Sequence, residues 1–313
     1  MLIRLGTRQS PLALWQADYV SGELRALGHE VELVKITTSG DVSTTPLGQS
    51  GGQGVFTKEI QRALLDERCD LAVHSLKDLP TEIIPDLRLA AIPPREDAAD
   101  CLISAKGLAL ADLPKGARIG TGSPRRKAQL LLVRPDLEVL DIRGNVDTRL
   151  RKLDEGQFDA ILLAYAGLHR LGLHERITEK LSFQQMLPAV GQAALGLEIR
   201  SSDSNTLEAV SALNHESTQA AVIAERTLLH TMRAGCLAPL AAHARVSSHS
   251  IRLESRVIST DGKELVAAER EILFSELPSE NLLSIASMCG ASTAKLLMER
   301  GASELIEKSK NSG

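Results

Sequence analysis

The sequence predicts an α/β protein of two similar units, closed by a smaller α+β unit. Three observations predict it. The chain carries an internal repeat, each copy of the repeat alternates strand-like with helix-like segments, and the texture changes from about Leu213 onward. Alternating strands and helices argue for α/β architecture, and 313 residues exceed what one hydrophobic core usually organises.

The repeat opens with "IRLGTRQSPLALWQ" near the start and returns about 114 positions later as "ARIGTGSPRRKAQL". Each copy reads as an apolar strand, then Gly-Thr, then Ser-Pro, then a helix. Ser10 and Ser123 are suited to cap orphan backbone N–H groups, and Pro11 and Pro124 fit the first helical position. Next, "VELVKI" at 31–36 is echoed by "LEVLDI" at 137–142, and "KEIQRALLDERCDLAVHS" by "TRLRKLDEGQFDAILLAY", with Asp70 matching Asp159. These last segments are an amphipathic helix, a short turn and an apolar run, the pattern of a buried parallel strand.

The first copy holds an extra stretch, "TTSGDVSTTPLGQSGGQGVF" at 37–56. A long Gly-rich loop in a compact domain is either a linker or a lid. It is no nucleotide loop, since no Gly-Lys-Ser/Thr follows it. After "LPAVGQAALGLEIR" come a helix, the loop "HTMRAGCLAP", and strands either side of Asp261-Gly262, a hairpin signal. A terminal helix from about Leu282 to Arg300 completes an α+β unit.

Composition narrows the function. A formal charge of −4 provides no surplus to draw the chain to nucleic acid or membrane. Four Phe, two Tyr and one Trp are too few for base-stacking platforms. Arg4 and Arg8 interrupt any signal-peptide core, so the expected location is the cytoplasm. Cys69, Cys101, Cys236 and Cys289 lack metal-ligand spacing, so free thiols and no metal are expected. Only Cys236 falls in a loop, where a structural and a reactive role both remain open.

Charge at the helix starts is informative. Arg125, Arg126 and Lys127 lie in a first helical turn, where the helix already carries partial positive charge. A bound anion relieves that conflict. Arg8 occupies the equivalent turn of the first copy, and Arg143 and Arg149 bracket another strand-to-helix turn with Asn145 as its cap. If the copies face each other, these turns line one cleft and the ligand is polyanionic. "DLAVHSLKDLP" adds Lys77 and Asp78 to that rim. Asp78 either balances the cations or stabilises positive charge developing on a substrate. His74 is better read as a packing residue than as a base for Cys236.

Together, "TRQSPLALWQ", "GGQGVFTKE", "DLAVHSLKDLP", "PREDAAD", "GTGSPRRKAQL", "IRGNVDTRL", "DAILLAYAGLHRLGL", "LPAVGQAALGLE" and "AGCLAP" resemble, in order, the hydroxymethylbilane synthase (porphobilinogen deaminase) family. The resemblance spans nearly the whole chain. It implies two periplasmic-binding-protein-like α/β domains flanking an active-site cleft, plus a smaller C-terminal α+β domain. Domain 1 would take residues 1–93 with 189–212, domain 2 residues 94–188, and domain 3 residues 213–313.

The implied cofactor is a dipyrromethane held by a thioether to Cys236. Four porphobilinogen molecules would each lose ammonia to give an azafulvene and be added head to tail, before hydrolysis releases a linear tetrapyrrole. The resemblance assigns catalysis to Asp78 and cofactor binding to Lys77, Asp78, Thr121, Ser123, Arg125 and Arg126. It assigns substrate or chain binding to Arg8, Ser10, Gln16, Arg143, Arg149 and Arg170, and a lid to Phe56. Porphobilinogen and the growing oligopyrrole chain are the implied partners of a monomer, with no nucleic acid and no membrane.

The chain departs from the family pattern at Gln49 and Gln53 in the lid, at Gly122 where serine is common, and at Arg233, Ala234 and Leu237 around Cys236. Two other readings compete with the synthase. A two-lobed module binding a small polycarboxylate would use the same basic turns without chemistry, and a cysteine hydrolase would use Cys236 as its nucleophile.

Overall fold

The computed structural model describes residues 1–38, 57–235, 238–277 and 279–311. The chain begins with β1 (Leu2–Thr7), α1 (Pro11–Ala26), β2 (Glu30–Lys35), α2 (Lys58–Leu65), β3 (Leu71–Ser75), a 3-10 turn at Leu76–Asp78, and β4 (Leu87–Ala91). Ser10 caps α1 by accepting from the Ala13 N–H, and Pro11 takes the first helical position. The helix ends in a Schellman arrangement, with Gly28 N–H to Arg25 O and His29 N–H to Leu24 O and Gly28 at φ +85°. Its Ala17, Val20 and Leu24 stripe is fully buried against Ile3 and Leu5 of β1.

Crossing to the second unit, the chain forms β5 (Asp100–Ser104), β6 (Arg118–Gly120), α3 (Pro124–Val133), β7 (Glu138–Leu140), α4 (Val146–Asp154), β8 (Ala160–Ala164), α5 (Tyr165–Arg170) and β9 (Glu179–Lys180). It then returns to the first sheet as β10 (Leu195–Arg200), followed by α6 (Ser204–Ser211). The sheets have matching strand orders, β2-β1-β3-β10-β4 and β7-β6-β8-β5-β9. In each, four strands run in one direction, and the strand that arrives from the other unit, β10 or β5, lies antiparallel between β3 and β4 or between β8 and β9. The two sheets of matching order make two similar lobes.

The repeat extends to side chains. In the first lobe the Arg4 N–H and Nε donate to Asp70 Oδ2 at 2.9 and 3.0 Å. In the second, the Arg118 N–H and Nε donate to Asp159 Oδ2 at 2.8 and 3.3 Å. The same bracket pins β1 to the turn before β3 and β6 to the turn before β8.

The third unit packs α7 (Glu216–Thr231), α8 (Leu282–Glu299) and α9 (Ala302–Asn311) on an antiparallel sheet, β11 (Leu240–Val246), β12 (Ser250–Ile258) and β13 (Leu265–Leu273). Its core includes Leu228, Ile251, Leu253, Ile285 and Leu297. Asp261-Gly262 does turn the β12–β13 hairpin, with Gly262 at φ +77°. The sequence reading ended the structure with one helix; Gly301, at φ +89°, instead separates α8 from the further helix α9. Where α8 crosses α7, Gly290 comes so close that a Cβ would meet the Ala224 carbonyl and stand 2.8 Å from Thr227 Cβ.

Glu225 of α7 joins the third unit to both crossings between the lobes. Fully buried, it accepts from Arg95 Nη1 at 2.6 Å, the Gly191 N–H at 2.7 Å and the Ala244 N–H at 2.9 Å. Arg95 Nε also donates to Gln192 O at 2.7 Å.

Candidate active site

The loops at the carboxyl ends of the parallel strands, where ligands bind in open α/β sheets, carry the residues the sequence singles out. Arg8 and Ser10 follow β1, Lys77 and Asp78 follow β3, Thr121 and Ser123 follow β6, and Arg143 follows β7. The hydroxyls first organise the turns. Ser10 Oγ accepts from the Ala13 N–H at 3.3 Å, Ser123 Oγ from the Arg126 N–H at 3.4 Å, and Thr121 Oγ1 from the Ser123 N–H at 3.2 Å. Each keeps its own proton to donate. Asn145 caps α4 through the Thr148 N–H as the sequence predicts, and Gln16 Nε2 donates to Ser75 Oγ at 2.9 Å, tying α1 to the end of β3.

The first anion at the α3 terminus belongs to the chain itself. Arg125 Nη2 donates to Asp100 Oδ2 at 2.7 Å, while Arg126 Nε and Nη2 both donate to Oδ1, at 3.1 and 2.7 Å. The anion expected at this turn is thus supplied in part by Asp100, while Lys127 is exposed to solvent. Gln192 Nε2 donates to Asp100 Oδ1 at 2.9 Å, so the returning crossover touches the same carboxylate. Burial opposes ionisation of Asp100, but Arg125 and Arg126 outweigh it and hold the carboxyl well below its usual range.

One carboxylate does not satisfy this group. Among the described residues, Arg125 Nε is buried without a hydrogen-bond partner, an uncommon state for a native donor. Burial pulls the Lys77 ammonium down to about 8, with Asp78 opposing and Arg126 and Arg125 adding to the fall. Arg149 is lowered to about 10, by burial first and then by Arg126 and Arg143, while Asp141 and Asp78 oppose. Lys77, Arg125, Arg126, Arg143 and Arg149 therefore form one cationic cluster, in which Asp78 acts on Lys77 and Arg149. Its unpaired donor and excess positive charge fit a ligand carrying several carboxylates, as a dipyrromethane with acetate and propionate arms does.

Asp78 differs from Asp100. It is half-buried, and among the described residues its carboxylate makes no hydrogen bond and no ion pair, although both Lys77 and Arg149 feel its charge. Arg143 Nε donates to Asp141 Oδ2 at 2.9 Å and Arg149 Nε to Gly144 O at 2.8 Å. Arg170 lies toward the crossover, where its Nη2 donates to Ala193 O at 2.7 Å. The departure at Gly122 has a steric reason: a Cβ there would lie 2.8 Å from Asp141 Oδ1 and 3.0 Å from Ile142 O.

His74 is a satisfied core residue. Its Nε2 is 2.9 Å from Glu198 Oε2, and Gln61 Nε2 donates to the other oxygen at 3.0 Å. That leaves it engaged away from thiol chemistry. Cys236, Phe56, Gln49, Gln53 and Leu237 lie outside the described residues. Arg233, exposed, has a left-handed backbone at φ +48°, and Ala234 is buried. Sequence reasoning missed Asp100, Gln192 and Asp141. Asp100 had a signal, an acid opening the apolar run "DCLIS", which needs a partner when buried.

Comparison with known proteins places the chain among relatives. Residues 3–208 match the family model described as porphobilinogen deaminase, dipyromethane cofactor binding domain, and residues 219–298 match porphobilinogen deaminase, C-terminal domain. The porphobilinogen deaminase of Syntrophotalea carbinolica is 48% identical over 307 residues, covering 97% of this chain and 95% of that protein. The porphobilinogen deaminase of Trichlorobacter lovleyi is 52% identical over 267 residues, covering 84% of this chain and 85% of its own. Among solved structures, a putative methionine-binding lipoprotein from Bacillus subtilis aligns with a TM-score of 0.42 at 14% identity, covering 68% of this chain and 90% of that one.

Proposed function

Because the chain belongs to the porphobilinogen deaminase family, we propose a residue-level account of how it carries out that family's reaction. The protein is a transferase of tetrapyrrole biosynthesis with a dipyrromethane cofactor. It condenses four porphobilinogen molecules head to tail with loss of ammonia, then releases hydroxymethylbilane by hydrolysis. Binding of a polycarboxylate without chemistry is not favoured, since the family match extends through residues 219–298, which a two-lobed module does not require.

Asp78 is the catalytic residue of this account. The observation that carries it is a carboxylate with no hydrogen-bond or ion-pair partner among the described residues, set within a cationic cluster. Loss of ammonia requires a proton at the leaving amine and leaves a cationic pyrrole. Asp78 can hold that proton at its carboxyl and, once ionised, lie against the developing positive charge. The surrounding cations take a different task. Lys77, Thr121, Ser123, Arg125 and Arg126 hold the cofactor's carboxylates, and Asp100 keeps the two guanidiniums in place. Arg8, Ser10, Gln16, Arg143, Arg149 and Arg170 bind the acetate and propionate arms of substrate and product.

The cofactor, when bound through Cys236, supplies a nucleophilic pyrrole carbon and stays on the protein between turnovers. We place the protein in the cytoplasm as a monomer. Cys69, Cys101 and Cys289 as free, buried thiols support a reducing compartment. Incubation with porphobilinogen tests the function: ammonia and a uroporphyrin-forming product should appear together. Tight binding of porphobilinogen with no ammonia would overturn it.

A further inference from the structure

Trp15 is the chain's only tryptophan. It lies on α1 of the first lobe, 37% exposed as a residue, with its ring stacked on Tyr19 at a centroid distance of 5.7 Å and an interplanar angle of 6°. Arg170, from α5 of the second lobe, places its guanidinium carbon 5.5 Å from the Trp15 ring centroid. The lobes touch here, since a Cβ on Gly167 would contact Leu12 of α1 at 3.7 Å. Arg170 is only 9% exposed. Among the described residues it makes one hydrogen bond, from Nη2 to the carbonyl of Ala193, a residue at φ +70° on the returning crossover. No carboxylate pairs with it among those residues.

Glu96 acts on this buried guanidinium only at a distance, without an ion pair, so it needs further stabilisation. An indole face within about 6 Å supplies it, and tryptophan is the best of the aromatic rings for this purpose. The Trp15–Tyr19 stack fixes the orientation of that face. The Ala193 carbonyl uses one of the five guanidinium N–H groups, so four remain for an anionic arm.

We infer that Trp15 is a positioning residue for the substrate side of the reaction, holding Arg170 across the cleft through a cation–π contact so that its remaining donors meet a carboxylate arm of porphobilinogen or product. The inference rests on the reading of Arg170 as a substrate-binding residue. Trp15 acts through Arg170 and not on the reacting atoms, so its loss should appear in KM and spare kcat.

Steady-state kinetics of four variants of the cofactor-loaded protein test this. Trp15→Leu should raise KM for porphobilinogen about fivefold with little change in kcat, the order expected for a partly desolvated cation–π pair. Trp15→Phe, which keeps a ring, should recover most of that loss. Arg170→Gln should raise KM at least as much, and adding Trp15→Leu to it should raise KM no further. If Arg170→Gln leaves KM unchanged, the substrate-binding reading of Arg170 fails and the inference falls with it. If Arg170→Gln raises KM while Trp15→Leu does not, or the two effects multiply, the inference fails alone. Should Trp15→Leu not fold, the emission of the lone tryptophan decides the matter. Porphobilinogen should shift it in the wild type and not in Arg170→Gln, and equal responses would overturn the contact's role.

Discussion

Arg126 donates to Asp100 through both Nε and Nη2, at 3.1 and 2.7 Å, and both side chains are almost fully removed from solvent. Asp100 also receives Arg125, so removing this one carboxylate leaves two buried cations facing each other. Asp100→Ala should cost about 3–5 kcal/mol of stability, read by urea unfolding. The purified variant should also carry less cofactor by intact mass. Wild-type stability with full cofactor content would show that the guanidiniums hold their places unaided.

Glu225 is the second buried carboxylate on which the assembly depends. It serves Arg95, the Gly191 N–H and the Ala244 N–H at once, so Glu225→Ala strands donors from both crossings and from β11. A loss of about 3–5 kcal/mol is expected. The double variant with Arg95→Ala should be less destabilised than the sum of the single variants, because the two share one network. Additive losses in urea unfolding would mean that the residues act independently.

His243, on β11 against Phe183 at a ring distance of 4.5 Å, gives the protein a pH dependence. Burial, aided by Arg95 and Arg245 and opposed by Glu225 and Glu254, lowers it to about 4, against about 6.5 for an ordinary histidine. Between those values the unfolded chain binds the extra proton and the folded chain does not, so stability falls as pH drops from about 6.5 toward about 4. Thermal midpoints across that window should fall more steeply for the wild type than for His243→Gln. Parallel curves would show that His243 charges freely in the fold.

Much of this architecture is legible in the sequence, for local reasons. Ser10-Pro11 and Ser123-Pro124 announce helix starts because the cap and the first-turn proline act within a few residues, and both caps form as read. The Asp70 and Asp159 match survives as two equivalent brackets on Arg4 and Arg118. Illegible were the partners brought in from far along the chain. Asp100 meets Gln192 across 92 positions, and Arg95 meets Glu225 across 130. No periodicity encodes such pairs. The basic turn at Arg125 and Arg126 was therefore correctly read as needing an anion, while the anion's first source, a carboxylate of the same chain, was not foreseen.

Loss of its charge should affect Asp78 differently from Asp100. Asp78→Asn keeps shape and removes the charge from a carboxylate that pairs with no described residue, so fold and cofactor content should be retained. Turnover should fall by roughly a hundredfold or more, the scale of a lost general acid or base. Ammonia release from porphobilinogen measures it. Turnover at the wild-type rate would reduce Asp78 to charge balance for Lys77 and Arg149.

The account's central claim is a cleft whose excess positive charge holds a covalently anchored dipyrromethane. The intact mass of the purified protein tests this most directly. The mass should exceed that of the sequence by one dipyrromethane, and Cys236→Ser should abolish the increment together with activity. A fully active protein at the bare sequence mass would contradict the account.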